Sequence, residues 1–211
     1  EPLEGSQYEQ GIGRMSAALN SAPAPERGAD PDLELVADWL ALQFLTPPDA
    51  ARIEAGRSAQ GQAALREIGT FLGRPDAAET LCGKLADGSA QDVTVALQRR
   101  YTALFEGIFR QRGLPPYASV WDGTGRLCGP AVGRMQGLLR GLDLHLAETC
   151  CEPADHIAIQ LAALAEALRQ GNSELISALL DELAWVGRFA AFLTVADGNG
   201  YYDAVAQLLS A

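Results

Sequence analysis

The chain has 211 residues, enough for one substantial core, and its 16 basic against 27 acidic residues leave a net charge of −11 that repels nucleic-acid phosphates and anionic membrane surfaces. Hydrophobic residues make up 48% and aromatics only 7%, an alanine-rich mixture that favours helices packed through small side chains. No stretch approaches the ~20 apolar residues of a membrane span, and no basic start runs into an apolar secretion signal.

Residues 1–29 are rich in glycine, proline and small polar residues and read as a weakly structured extension with one short helical candidate, Tyr8–Leu19. Asp30-Pro31 then predicts a helix start, with Leu35, Val36, Trp39, Leu40 and Leu42 as its apolar face and Pro47-Pro48 as its end. Two or three short helices follow between Asp49 and Leu85, with breaks expected at Gly56, Gly61, Gly73-Arg74-Pro75 and Gly83. A core helix is predicted over Ser89–Arg112, where Val93, Leu97, Tyr101, Leu104, Phe105, Ile108 and Phe109 fall on one side. Leu114–Gly129 reads as a loop that displays Tyr117, Val120 and Trp121.

Pro130 opens the next helix, in which Gly133, Gly137 and Gly141 recur every fourth residue; this predicts close helix packing first, and a groove for a peptide second. Glu152-Pro153-Ala154-Asp155-His156 forms a polar joint, expected to be exposed, before a helix with Ile157, Leu161, Leu164 and Leu168 on one face that ends at Gly171. Asn172 or Ser173 caps a further helix carrying Leu175 through Leu193, and a last helix spans Tyr201 to Leu209. No strand pattern occurs, so the expected class is all-α.

From Gly141 to Gly187, eight carboxylates face one arginine, Arg169, which places −7 of the −11 in that stretch. It is either a solvated acidic face or a landing site for a basic peptide. Cys82, Cys128, Cys150 and Cys151 lack paired C-x-x-C spacing, which predicts reduced thiols in the cytoplasm. Signatures of common hydrolases, kinases and dehydrogenases are missing, and so is a glycine loop to cradle phosphate. His145, Cys150, Cys151 and His156 have the residue types of a zinc site, although adjacent cysteines chelate one ion poorly. Two functions stay open on these residues: a small metal-dependent enzyme using those four side chains, and a generic helical adaptor.

Several ordered blocks resemble the TorD/DmsD family of cytoplasmic chaperones that mature molybdenum-containing redox enzymes. Tyr101-Thr102-Ala103-Leu104-Phe105-Glu106-Gly107 is similar to the family's Y-x-x-L-F-x-G helix, and Pro115-Pro116-Tyr117-Ala118-Ser119-Val120-Trp121 to its P-P-x-E-S-V-Y loop. Glu152-Pro153-Ala154-Asp155-His156-Ile157 resembles E-P-x-D-H followed by an apolar residue, and Trp185, Phe189, Phe192 and Tyr202 resemble the aromatic close. Ala118 stands where the family commonly has glutamate, and Trp121 where it has tyrosine.

The resemblance spans about residues 30–211 and implies a single all-helical domain with a hinge loop between two helices. It implies no catalysis and no bound cofactor or metal. The partner it implies is the precursor of a molybdenum-cofactor oxidoreductase, held through its twin-arginine signal peptide and its body so that export waits for cofactor insertion. Asp155 and His156 correspond to the hinge pair, with Glu152 and Pro153 fixing the turn, and Asp155 either touches the client or caps the following helix. Tyr117, Ser119 and Trp121 are the second candidates for client contact, the alternative being that this loop seals the core. A monomer or a domain-swapped homodimer is expected.

Overall fold

The computed structural model describes residues 31–107, 113–122, 125–147 and 150–211. The candidate helix Tyr8–Leu19, the 1–29 extension, Asp30, Ile108, Phe109 and Arg112 lie outside them. Helices follow in the order α1 (Pro31–Leu45), α2 (Ala50–Arg57), α3 (Ala59–Phe71), α4 (Pro75–Ala86), α5 (Ala90–Tyr101), a π-helical turn (Thr102–Glu106), α6 (Ala118–Trp121), α7 (Pro130–Gly141), α8 (Ile157–Gln170), α9 (Ser173–Glu182), α10 (Val186–Asp197) and α11 (Tyr201–Leu209). No strand occurs among the described residues, and one isolated antiparallel bridge pairs Tyr117 with His156. The class is all-α, and no described helix is long and apolar enough to cross a membrane.

Caps decide several boundaries. Asp49 accepts the Arg52 N–H to start α2, and Ser58 both ends α2 and accepts the Gly61 N–H to start α3. The break therefore falls at Ser58, while Gly56, Gly61 and Gly83, expected to interrupt, sit inside helices. Ser89 caps α5 as predicted, but α5 stops at Tyr101. The next turn widens into π geometry, ends at left-handed Gly107 (φ 52°), and its Leu104 carbonyl is taken by the returning Leu114 N–H at 2.6 Å. The helix predicted between Asn172 and Leu193 is two helices, because Leu183 to Trp185 form a tight turn. That turn sends Leu179 to one core and Trp185 with Phe189 to another.

Every residue of α8 from Ile157 to Leu168 is buried, so the helix is covered all round. Leu161, Leu164 and Leu168 lie inside as expected, and small alanines let neighbours cover the remaining sides. Ile157, Ala158, Leu161 and Ala162 join a large core built from α1, α2, α4, α5, α10 and α11. Ile159, Ala163, Leu164 and Ala167 join a smaller core with α7 and α9. The apolar face of α1 is Val36, Ala37, Leu40, Ala41 and Phe44, whereas Leu35 and Leu42, assigned to it from the sequence, are exposed.

Two further expectations are corrected. A Cβ on Gly133 would meet nothing within 4 Å, and one on Gly137 only the tip of Arg140 at 3.9 Å, so their stripe faces solvent; only Gly141 is approached, by Leu175 at 3.3 Å. The acidic stretch is not one surface either. Asp155 and Glu166 are buried, Glu182 pairs with Arg134 at 2.5 Å, and Arg169 ties Glu166, Asp38 and Glu34 together across α1 and α8.

Candidate functional site

The joint between the two cores is residues 152–156, and it is largely buried: Asp155 is 0% and His156 2% exposed. The proline-containing loop before α6 runs antiparallel to it, with the Ala118 N–H donating to the Asp155 carbonyl at 3.0 Å and the Ile157 N–H to the Pro116 carbonyl at 2.9 Å. These two bonds clamp the sequence blocks 115–121 and 152–157 together.

Asp155 does not cap α8. Its Oδ2 accepts the Ser119 N–H at 2.8 Å and the Ser119 Oγ–H at 2.5 Å, and Ser119 Oγ accepts the Gly129 N–H at 2.9 Å. A carboxylate from a distant part of the chain thus anchors the start of α6, the single turn that local signals read as loop. The other oxygen, Oδ1, is buried without a partner. His156 is the α8 cap: its Nδ1 accepts the Ala158 N–H at 3.2 Å. Burial holds its pKa down, to about 4, so the imidazole is neutral at pH 7.

Tyr117 packs edge-on against His156 with ring centroids 5.0 Å apart, and its hydroxyl donates to Glu152 Oε2 at 2.6 Å. Burial, and next that bond to a carboxylate, raise the phenol pKa. Trp121 donates from Nε1 to the Pro115 carbonyl at 2.8 Å and stands among Trp185, Phe189 and Phe192, with the Arg188 guanidinium 5.9 Å from its ring centroid. Phe192 is 51% exposed, so this aromatic group reaches the surface.

A cleft of about 730 Å³ opens beside the joint. Tyr117, Glu152 and His156 line it together with Tyr101, Phe105, Glu106, Asp49, Arg52 and Gln98. Of the seven site residues singled out from sequence, these three reach the cleft, while Asp155 and Ser119 lock the hinge behind it, Pro153 offers its carbonyl oxygen as acceptor to the His156 N–H at 3.0 Å, and Trp121 belongs to the aromatic surface. Asp49, Arg52 and Gln98 were missed, since only folding brings α1, α2 and α5 to the joint. Glu106 had a signal, its place in the Tyr101–Gly107 block.

The lining is acidic and aromatic, suited to a ligand with positive charge and apolar surface. Among the described residues no three His, Cys, Asp or Glu side chains stand together as a metal ligand set. His145 and Cys151 are exposed, Cys150 is half-buried, and His156 is turned onto α8, which removes the geometry from the metal-enzyme alternative.

Comparison with known proteins matches residues 57–197 to the family described as nitrate reductase delta subunit. Chaperone protein TorD of Vibrio cholerae is 34% identical over 131 residues, covering 56% of this chain and 59% of that protein. The same-named protein of Vibrio parahaemolyticus is 29% identical over 113 residues, covering 47% and 53%. The match thus spans little more than half the length of these relatives. In fold, the chain is similar to the crystal structure described as that of a redox enzyme maturation protein from Archaeoglobus fulgidus, with TM-score 0.56, 22% identity, and 91% and 96% of the two chains covered. The family match covers more than half of the chain and agrees with the motif blocks now seen clamped around the hinge, and the chain belongs to the nitrate reductase delta subunit family, that of the TorD/DmsD chaperones.

Proposed function

We propose that the protein is a cytoplasmic chaperone for the precursor of a molybdenum-cofactor oxidoreductase, binding its twin-arginine signal peptide and its body and delaying export until the cofactor is inserted. The observation that carries this reading is the cleft. Asp49, Glu106 and Glu152 line it with one arginine among the described residues, beside the aromatic rings of Tyr101, Phe105 and Tyr117. A peptide with an arginine pair followed by an apolar segment complements both halves of that lining. The aromatic group of Trp121, Trp185 and Phe192 supports a second contact, with the body of the precursor.

In this reading Tyr117, Glu152 and His156 face the client, and Pro153, Asp155 and Ser119 hold the wall they stand on. Calorimetry of the chain with a synthetic peptide carrying an arginine pair and an apolar segment tests it. Binding is expected, weaker at high salt, and Glu152→Gln is expected to weaken it several-fold, on the order of 1 kcal/mol. A chain that ignores such a peptide at every salt concentration is not this chaperone.

A further inference from the structure

His156 serves two directions with one ring. Nδ1 accepts the Ala158 N–H at 3.2 Å and so satisfies an amide of the first turn of α8. A ring nitrogen that accepts carries no proton, and burial keeps the imidazole neutral, so the one ring proton sits on Nε2. That N–H has no hydrogen-bond partner among the described residues. The residue is 2% exposed, and what it exposes forms part of the cleft wall between Tyr117 and Glu152.

Granting that the cleft receives a client peptide, the reading on which this step rests, we infer that His156 reads the peptide's main chain, donating from Nε2–H to a backbone carbonyl while Nδ1 stays on Ala158. A buried donor of fixed tautomer selects an acceptor, and the lining decides its charge. Asp49, Glu106 and Glu152 repel a carboxylate or phosphate. Arg52, the one cation of the wall among the described residues, is committed to the Leu42 carbonyl at 2.8 Å and the Thr46 carbonyl at 3.3 Å. A neutral acceptor is what such a wall admits, and the main chain of a basic peptide offers one at every residue.

Two substitutions separate the nitrogens. His156→Asn places an amide oxygen near Nδ1 and can cap α8, but leaves nothing at Nε2; His156→Gln places an amide N–H near Nε2 and gives up the cap. Both lose the ring contact with Tyr117, so their difference isolates the donor. Titrated with the synthetic arginine-pair peptide, the His156→Asn chain is expected to bind about tenfold more weakly than the natural one. The His156→Gln chain is expected to stay within about threefold of natural affinity and to melt about 2–4 °C below the His156→Asn chain.

Imidazole ¹⁵N spectra of the natural chain at neutral pH are expected to show the proton on Nε2, with that resonance moving when peptide is added. Natural affinity in His156→Asn overturns the inference and leaves the peptide-binding reading standing. A proton on Nδ1, or an Nε2 signal unmoved by bound peptide, overturns it without any variant having to fold. A natural chain that binds no peptide ends both.

Discussion

The two cores on either side of α8 are built from different materials. In the large core Phe44, Tyr101, Phe105, Phe189 and Tyr202 meet edge to face, with centroids 5.0–6.2 Å apart for Phe44–Phe105, Phe44–Phe189, Tyr101–Phe105, Tyr101–Tyr202 and Phe105–Tyr202. The small core has no aromatic ring among its described members and relies on Met135, Leu139, Leu142 and Leu179 against the opposite side of α8. Rings lock through direction as well as area, whereas aliphatic chains fill space and tolerate rearrangement. The hinge lies between these cores, with Ala154 in the small one and Ile157 in the large one, so it joins a stiffer body to a softer one.

Truncation probes that contrast most strongly. Phe44→Ala is expected to cost about 3–5 kcal/mol, because it removes a ring that is 0% exposed and touches two others. Leu179→Ala is expected to cost about 3 kcal/mol, being as deeply buried but smaller. Since α8 is common to both cores, each variant should shift one cooperative transition in urea. A second transition appearing only in Leu179→Ala would show that the small core melts alone.

Next comes the hinge histidine. His156 has a folded pKa of about 4 against an ordinary 6.5, so folding favours its neutral form. The associated stability is complete above pH 6.5 and is lost as pH falls from there toward 4, amounting to about 2 kcal/mol by pH 5. Urea unfolding at pH 7.5 and 5 checks this, using the His156→Asn chain as reference. Equal pH dependence in the two chains would place the lost stability elsewhere.

The sequence made the large core legible and the hinge only partly so. Periodicity placed α5, α8 and α11, because a helix announces its buried face every three to four residues. It erred where a partner distant in sequence decides the outcome. Leu114 returning to the Leu104 carbonyl closes the predicted long helix early, and Asp155 reaching Ser119 makes a helical turn out of a glycine- and proline-rich loop. The same holds for the site. Glu152 to His156 stood out as a motif, but Asp49, Arg52 and Gln98 join the cleft only through tertiary packing, and the joint's own burial reversed its expected exposure.

Ser119 tests that distant anchoring on its own. Ser119→Ala takes one donor from Asp155, whose Oδ1 already lacks a partner, and takes the acceptor from the Gly129 N–H. A loss of about 1–2 kcal/mol is expected. Hydrogen exchange should quicken first at Ser119 and Gly129, because the damage begins at the joint and not in either core. Uniform loss of protection across α5 and α10 would argue that the joint and the large core open as one unit.

The smallest effect concerns the softer body, and it has the opposite sign. Gly133 lies on the solvent side of α7, where an added Cβ meets nothing within 4 Å, and its helical backbone needs no glycine. Gly133→Ala therefore removes freedom from the unfolded chain without crowding the folded one, and should add about 0.5–1 kcal/mol. Gly141→Ala is the control: its Cβ would stand 3.3 Å from Leu175 in the small core, so the same gain in propensity is offset by crowding. Denaturation of both variants measures the difference. If Gly133→Ala destabilises, the face carrying Gly133 and Gly137 is covered in the folded protein, and the small core extends further than its described members.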